Sequence, residues 1–349
     1  MIGPSLSTLR DRTGSSIADI GSLFLALQLG FIVGSIIAGR VLDRFDGHRV
    51  YATGFLCVAA ALLVLPVANS LIALWGVMVA IGTSSSISDV SANTLLMWHL
   101  GEHVGRAMNL LHFSFGVGAL IAPLVVALGV DTAARLGGVI AVVMALWALS
   151  VPSPTAPQIR RDEQSTATRR VLVIAAAFFF FYVGVEIGFA GWIHTYAGEV
   201  GFSSRAATMI TTGFWVSFTS GRLFSAWVSG RIRPKVVMAA SGTATVVAAI
   251  VLTIAQGSPA GMWIGAIMIG LATAPQFPVM IAYLERRIQL SGSDTSLFMA
   301  SAGMGGLAFP YVIGQMIDAA GTAIFPWMVL GLSVVAMAAF VRANAVLGG

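Results

Sequence analysis

Long apolar runs alternate with short polar segments along the whole chain. Each run is roughly 18 to 28 residues long, which at 1.5 Å per helical residue is enough to cross about 30 Å of hydrocarbon. The pattern predicts eleven membrane-spanning helices, centred near residues 28, 60, 84, 117, 143, 184, 217, 245, 272, 307 and 333. The longest polar segment, SPTAPQIRRDEQSTATRR at residues 153–170, is predicted to be a flexible linker.

The composition restricts the class of protein. Of the 349 residues, 57% are hydrophobic and 9% are charged, whereas a soluble domain carries about 25% charged residues. Because lipid can solvate apolar faces that a soluble core cannot absorb, we interpret the chain as an all-α membrane protein. The net charge of +5 is spread over short loops, so nucleic acid is not expected as a partner. The single cysteine, Cys57, excludes an intramolecular disulfide and a thiolate zinc cluster.

The two halves of the chain repeat each other at an offset of 187 residues. GVGALIAP at residues 116–123 returns as GMGGLAFP at residues 303–310. Further pairs at this offset are Gly34 with Gly221, Arg44 with Arg231, and Asp131 with Asp318. Because corresponding basic loops lie on one side, we interpret the pattern as a parallel repeat. It predicts an N-terminal half at 1–152, the linker at 153–170, and a C-terminal half at 171–349.

The repeat leaves the apolar run at 171–197 without a complete partner. A helix 187 residues earlier would start before Met1 and end near residue 10, so MIGPSLSTLR is interpreted as its external end. We therefore expect helices 2–6 and the tail of helix 1 in the first half, and helices 7–12 in the second. Two explanations stay open, a sequence shortened at its start and a native form with eleven spans.

Lys and Arg residues are divided unequally between the two sides of the predicted bundle. Fourteen of the nineteen lie in loops on one side and four on the other, while Arg222 lies inside a span. The positive-inside rule therefore predicts that the linker and the C-terminus are cytoplasmic. The excess of Arg over Lys, 18 to 1, and the short loops favour a multi-pass protein of a plasma membrane.

Several segments resemble one transporter family. GRVLDRFDGHR at residues 39–49 is similar to the G-x-x-x-D-R-x-G-R-R loop of the major facilitator superfamily, with one residue inserted before Gly47. The fourth, fifth, seventh and tenth helices of the fucose:proton symporter family resemble DVSAN (89–93), RAMNLLHFSFGVG (106–118), FFFFYVGVEIGFAGWIHTY (178–196) and QFPVMIAYLE (276–285). GPSLSTLRDRTGSS, the aspartate of DVSAN and the histidine of LLHFSFGVGAL are most similar to the sodium-dependent glucose transporter branch.

This resemblance implies a major facilitator bundle of twelve helices in two six-helix halves, with a central cavity that opens to alternate sides. It also implies a monomer in a lipid bilayer that takes up a monosaccharide, which we expect to be a hexose, together with a cation. Proton and sodium both stay open as the coupling ion, since His112 stands where proton-coupled members commonly have glutamine. The alternatives are an exporter of a small organic compound and a transport-inactive sensor or truncated product.

Catalytic signatures are missing from the sequence, which contains no G-x-S-x-G, H-E-x-x-H or Walker loop. We therefore predict that the protein is not an enzyme, that it needs no cofactor or metal site, and that an ion gradient rather than ATP drives transport.

Two carboxylates, Asp89 and Glu186, lie deep inside predicted spans. A charge there costs roughly 2.5 to 3.5 kcal/mol on insertion scales, so each needs a wet cavity or a polar partner. Asn93 lies one helical turn after Asp89 and shares its helix face. We predict that both carboxylates take part in cation coupling. The alternatives are structural, namely hydrogen bonds to a neighbouring helix for Asp89 and an ion pair with Arg222 for Glu186.

Other polar and aromatic residues are candidates for sugar contact or for gating. Amide and imidazole groups match sugar hydroxyls, which both donate and accept hydrogen bonds, and the C–H faces of sugars stack on aromatic rings. The predicted sugar-binding residues are Asn93, His112, Gln276, Trp192, Tyr182 and Phe277, with Trp215 as a further aromatic candidate. The predicted gating or structural residues are Gly39, Asp43, Arg44, Arg49 and Arg222. For the histidine and the aromatic residues, ordinary packing stays open as the alternative.

Overall fold

The computed structural model describes residues 2–156, 166–256 and 258–348. These residues are almost entirely helical, which confirms the predicted all-α fold. The helices are α1 (Ile2–Thr13), α2 (Ile17–Gly21), α3 (Leu23–Leu42), α4 (Gly47–Val64), α5 (Leu71–Leu100), α6 (Gly105–Val126), α7 (Val130–Ser150), α8 (Thr166–Glu199), α9 (Ser204–Val228), α10 (Pro234–Ile254), α11 (Pro259–Thr273), α12 (Gln276–Ile288), α13 (Gly292–Ala320) and α14 (Ile324–Gly348).

Helices long and apolar enough to cross a membrane lie where the apolar runs predict them. Within the described residues, nine segments meet this criterion by length and composition, and α11 and α12 together form one of them, Pro259–Ile288. Two more helices, α6 and α9, have 22 and 25 residues and lie at the predicted centres near 117 and 217. The exact count of eleven spans stays a prediction.

The predicted linker at 153–170 lies partly outside the described residues, since 157–165 are not among them. Its last five residues belong to α8, which begins at Thr166. The division into halves at this segment stays a prediction.

Two compact units make up the chain, and they exchange equivalent segments. The first contains Met1–Leu100, Phe115–Ile159 and Leu290–Ala300, and the second contains Gly101–Ser114, Arg160–Gln289 and Ser301–Gly349. Adding the repeat offset of 187 to 101–114 gives 288–301, which spans the segment 290–300. Each repeat therefore contributes the same part of its sequence to the other unit.

Glycines in the first unit let α3 and α5 pack with their backbones in contact. A Cβ added at Gly34 would lie 2.8 Å from the Thr83 Cα, and one at Gly82 would lie 2.9 Å from the Phe31 backbone nitrogen. Ser35 and Ser86 complete this crossing with a hydrogen bond of 2.6 Å between their hydroxyl oxygens. Small residues are thus required here because the helix axes approach so closely.

The equivalent crossing in the second unit, between α9 and α11, also depends on glycine. A Cβ added at Gly221 would lie 2.7 Å from the Ala274 Cβ, and one at Gly270 would lie 2.6 Å from the Phe214 carbonyl oxygen. Gly34 and Gly221 therefore occupy matching positions in two similar helix crossings, which explains why the repeat retains both.

Two glycines on α5 provide a matched test of this packing. Gly82→Ala should destabilise the protein by about 1–3 kcal/mol, because its methyl group meets the backbone of α3. Gly76→Ala should be neutral or stabilise by up to about 1 kcal/mol, because no atom of the described residues lies within 4 Å of its added Cβ and alanine favours the helix. Unfolding in detergent measures both changes, and equal effects of the two substitutions would contradict the proposed close contact.

The N-terminal helix α1 packs into the core of the first unit. Leu9 is fully buried in a cluster that includes Leu23, Leu74 and Val130. Arg12 reinforces this position, because its guanidinium lies 2.5 Å from a carboxylate oxygen of Asp131 on α7.

Candidate functional site

A buried ion pair joins α8 and α9 in the second unit. Glu186 is only 8% exposed and Arg222 only 4%, and their closest charged atoms, Arg222 Nη2 and Glu186 Oε1, are 4.0 Å apart. This distance is too long for a hydrogen bond. The two charges therefore attract each other without the short contact that would hold them rigidly together.

The Arg222 guanidinium has further neighbours. Its Nη1 donates a hydrogen bond of 2.9 Å to the backbone carbonyl of His112 on α6, and its central carbon lies 4.3 Å from the centre of the Phe218 ring. Its buried Nε has no hydrogen-bond partner in the part of the chain that the structure describes. Arg222 thus retains one donor that can serve a water molecule or a ligand.

Aromatic rings border this ion pair. The Phe277 ring centre lies 5.0 Å from that of His112, 4.8 Å from that of Phe179 and 6.0 Å from that of Tyr182. The Tyr182 hydroxyl donates to the Thr273 carbonyl at 3.1 Å. Five predicted residues, Glu186, Arg222, His112, Tyr182 and Phe277, therefore form one polar and aromatic cluster, which we call the α8–α9 cluster.

Close packing by α13 supports the Glu186 segment of α8. Gly184 lies against the ring of Phe309, and a Cβ added at Gly188 would lie 2.7 Å from the Ile313 Cδ1. Gly184 and Gly188 lie two residues before and two residues after Glu186. Each leaves room for one side chain of α13.

Gln276 and Trp192 have structural partners of their own. The Gln276 amide nitrogen donates to the Thr245 hydroxyl at 2.7 Å and to the Ala272 carbonyl at 3.2 Å. The Trp192 indole nitrogen donates to the Pro310 carbonyl at 2.7 Å. Their donors are thus engaged with α10, α11 and α13, and their predicted contact with a sugar remains a prediction.

In the first unit, Asp89 and Asn93 are hydrogen-bonded neighbours on α5. The Asn93 amide nitrogen donates to the Asp89 carboxylate oxygen at 3.1 Å and to the Asp89 backbone carbonyl at 2.9 Å. Asn93 is fully buried, whereas Asp89 is partly exposed. The amide therefore orients a carboxylate that is still accessible to a small cation.

The loop after α3 contacts the start of α13 within the first unit. The Asp43 carboxylate accepts hydrogen bonds from the backbone nitrogens of Gly292 at 2.8 Å and Ser293 at 3.2 Å, and from the Ser293 hydroxyl. Gly39 lies against Ser296, where a Cβ would lie 2.8 Å from the Gly292 carbonyl oxygen. Asp43 thus neutralises the partial positive charge of the first turn of α13.

The two arginines of this loop, Arg44 and Arg49, are exposed. The Arg49 backbone nitrogen donates to the Asp46 carboxylate at 2.9 Å, which caps α4. A gating role for Arg44 and Arg49 stays a prediction.

Three neighbours of these sites were not identified from the sequence. Phe218 lies one helical turn before Arg222, a spacing that could have indicated it. Thr245 is a hydroxyl residue in an apolar helix, which is a weaker signal. Thr273 takes part through its backbone carbonyl, for which no side-chain pattern exists.

Comparisons with known proteins agree with this architecture. The family model described as Major Facilitator Superfamily matches residues 1–207. Sodium-dependent glucose transporter 1A of Mus musculus is 25% identical over 363 residues, an alignment that covers 90% of this chain and 85% of that protein. The predicted resemblance to the sodium-dependent glucose transporter branch is thereby confirmed.

Solved structures show the same fold at low sequence identity. The E. coli fucose:proton symporter aligns with a TM-score of 0.79 and 18% identity over 99% of this chain and 96% of that one. The human organic anion transporter MFSD10 aligns with a TM-score of 0.75 and 14% identity over 96% and 88%. The major facilitator fold is therefore confirmed, and proteins named for different substrates share it.

Proposed function

Because the chain belongs to the major facilitator superfamily, we propose that it carries a monosaccharide, which we expect to be a hexose, across the membrane together with a proton or a sodium ion. The α8–α9 cluster is the main support for this proposal. It combines a buried carboxylate, a buried guanidinium with a free donor, and aromatic rings within membrane-spanning helices. The names of the similar glucose transporters agree with it.

Each part of the α8–α9 cluster suits a sugar in a different way. A hydroxyl group can donate to the Glu186 carboxylate and accept from the Arg222 guanidinium, so it can bridge a pair that is 4.0 Å apart. The Phe277 ring offers an apolar face to the C–H groups of the sugar. A bridging hydroxyl would add a hydrogen bond to each partner of a pair whose own separation is too long for one, which makes this pair a suitable binding site.

Cation coupling is assigned in this proposal to Asp89, with Glu186 as the second candidate. An ion that binds Asp89 neutralises a charge that is costly at membrane depth, and the Asn93 amide orients the carboxylate through its hydrogen bond. The loaded carrier can then change conformation without exposing a charge to lipid. Binding and release of the ion thereby control which conformations are accessible.

Alternating access requires contacts that form in one state and break in the other. We assign one of them to Asp43 and the first turn of α13. This contact consists of hydrogen bonds to one carboxylate, so it can be released without unpacking an apolar core. Gly39, Arg44 and Arg49 belong to the same proposed gate.

Counterflow in proteoliposomes tests the proposed substrate class. Vesicles loaded with unlabelled glucose should take up labelled glucose, and a panel of hexoses, with and without sodium and a protonophore, should identify the preferred sugar and ion. Exchange of another small organic compound in place of every sugar would favour the exporter, and sugar binding without exchange would favour the sensor.

His112→Ala should weaken glucose binding while leaving the fold intact. The substitution removes the imidazole ring beside Phe277 but keeps the backbone carbonyl that accepts from Arg222. Loss of one hydrogen bond to the sugar should lower the apparent affinity about twofold to tenfold. Titration of glucose against the purified variant measures this change, and unchanged affinity would place the sugar away from His112.

A further inference from the structure

A cavity lies where α10 begins and α12 ends. Its volume is about 310 Å³, and it is lined by Arg233, Pro234, Lys235, Tyr283, Arg286 and Arg287. The candidate spans Pro234–Ile254 and Pro259–Ile288 both have an end here, which places the cavity at the membrane surface. Four cationic side chains from two helix ends thus surround one small space.

Among the residues that the structure describes, those that line this cavity and its neighbour carry more positive than negative charge. An adjoining cavity of about 450 Å³ shares Arg286 and Arg287 and is lined by two carboxylates, Glu102 and Glu285. Four positive groups and two negative groups leave an excess of two positive charges. Arg286 is also positioned by a hydrogen bond of 2.7 Å from its Nε to the Glu102 carbonyl. Cations brought together in this way favour the binding of an anion.

The internal repeat shows that this charge is specific to the second half. Subtracting 187 from Arg233, Lys235, Arg286 and Arg287 gives Asp46, His48, His99 and Leu100. In the first half, the carboxylate of Asp46 caps α4 through the Arg49 backbone nitrogen. In the second half, Arg233 occupies the same position before α10, and its side chain makes no capping hydrogen bond within the described part of the chain.

We propose that this cavity binds a phosphate-type anion, which would supply the negative charge that Asp46 supplies in the first half. The position at the membrane surface makes the headgroup of an acidic phospholipid one source of that anion, and a free phosphate in solution is the other. Basic pockets between membrane helices are known to hold phospholipid headgroups. This inference does not depend on the transported substrate.

Native mass spectrometry of the full chain in mixed micelles tests the lipid source. The micelles contain equal amounts of phosphatidylcholine and phosphatidylglycerol. The mass spectrum gives the number of molecules of each lipid that remain bound to the protein. The wild type should retain phosphatidylglycerol preferentially, and Arg233→Gln/Lys235→Gln should lose about tenfold or more of this preference. The matched control, Arg40→Gln/Arg170→Gln, removes two exposed arginines from other helices and should keep it.

Inorganic phosphate tests the second source. If the natural ligand is soluble, phosphate should raise the melting temperature of the wild type in mixed micelles whose only phospholipid is phosphatidylcholine. It should leave the melting temperature of Arg233→Gln/Lys235→Gln unchanged. If that double variant does not fold, Arg287→Gln serves in both experiments. The proposal is overturned if neither phosphatidylglycerol nor phosphate distinguishes the wild type from the cavity variant, or if the matched control loses as much binding.

Discussion

Asp89→Asn is expected to abolish accumulation of sugar against a gradient while sugar exchange continues. Asparagine retains an oxygen that can accept the hydrogen bond from the Asn93 amide, which is 3.1 Å from the carboxylate oxygen in the wild type. The substitution therefore removes the charge and leaves an acceptor for the Asn93 amide in place. Uptake driven by an imposed sodium or proton gradient, compared with counterflow in the same vesicles, measures the two activities separately.

Asp318→Asn is the control for this experiment. Asp318 is an exposed carboxylate near the end of α13, so its neutralisation should leave both activities unchanged. Normal accumulation by Asp89→Asn would refute the coupling role. Loss of expression and of exchange together would instead indicate that Asp89 stabilises the fold.

Arg222→Met is expected to destabilise the protein more than any other single substitution considered in the α8–α9 cluster. It leaves Glu186 as a buried carboxylate without its cation, and loss of one partner from a buried ion pair typically costs about 3–5 kcal/mol. Glu186→Gln/Arg222→Met should recover most of this loss, because no unpaired charge then remains. Equilibrium unfolding in mixed micelles gives the free energies of the single and double variants.

Arg222→Lys is the matched control for charge, since it keeps a cation near Glu186. It should retain more stability than Arg222→Met, although it loses the planar guanidinium that contacts Phe218 and the His112 carbonyl. A double variant as unstable as the sum of the two single variants would show that Glu186 and Arg222 do not interact.

The sequence predicts the helices well because each membrane-spanning helix corresponds to one long apolar run. An apolar run long enough to cross the hydrocarbon forms a helix, because no water is present there and the helix satisfies the backbone hydrogen bonds within the segment. The positions of α4, α7 and α10, for example, agree with the runs centred near 60, 143 and 245. Helix spacing also indicated that Asn93 lies next to Asp89, because residues four apart share a face.

Partners from distant parts of the chain were not predictable in the same way. The hydrogen bonds of Asp43 go to residues almost 250 positions later, and no local pattern encodes such a pairing. Adding the repeat offset of 187 to Asp89 gives Gln276, yet the Gln276 amide donates to Thr245 on α10. The position of a residue within its apolar run predicts its depth in the membrane. The neighbour that its side chain contacts depends on which helices pack together, and the run itself does not give this.

The exchange of segments 101–114 and 290–300 between the two units is a related case. The offset of 187 predicts that the two segments are equivalent, but equivalence does not say which unit contains each of them. That assignment depends on contacts such as the hydrogen bond from the Trp98 indole to the Leu290 carbonyl, at 3.3 Å, and from the Asn109 amide to the Ser229 hydroxyl, at 3.2 Å.

Sugar-driven movement of the cation is the most direct test of cation-coupled sugar transport. Proteoliposomes that contain the purified chain and no ion gradient are given glucose, or the hexose preferred in counterflow, on one side, and entry of sodium or protons is followed with radioactive sodium or a pH-sensitive dye. We predict that the cation moves with the sugar in the wild type and does not move in Asp89→Asn. Sugar entry without movement of either cation would contradict it.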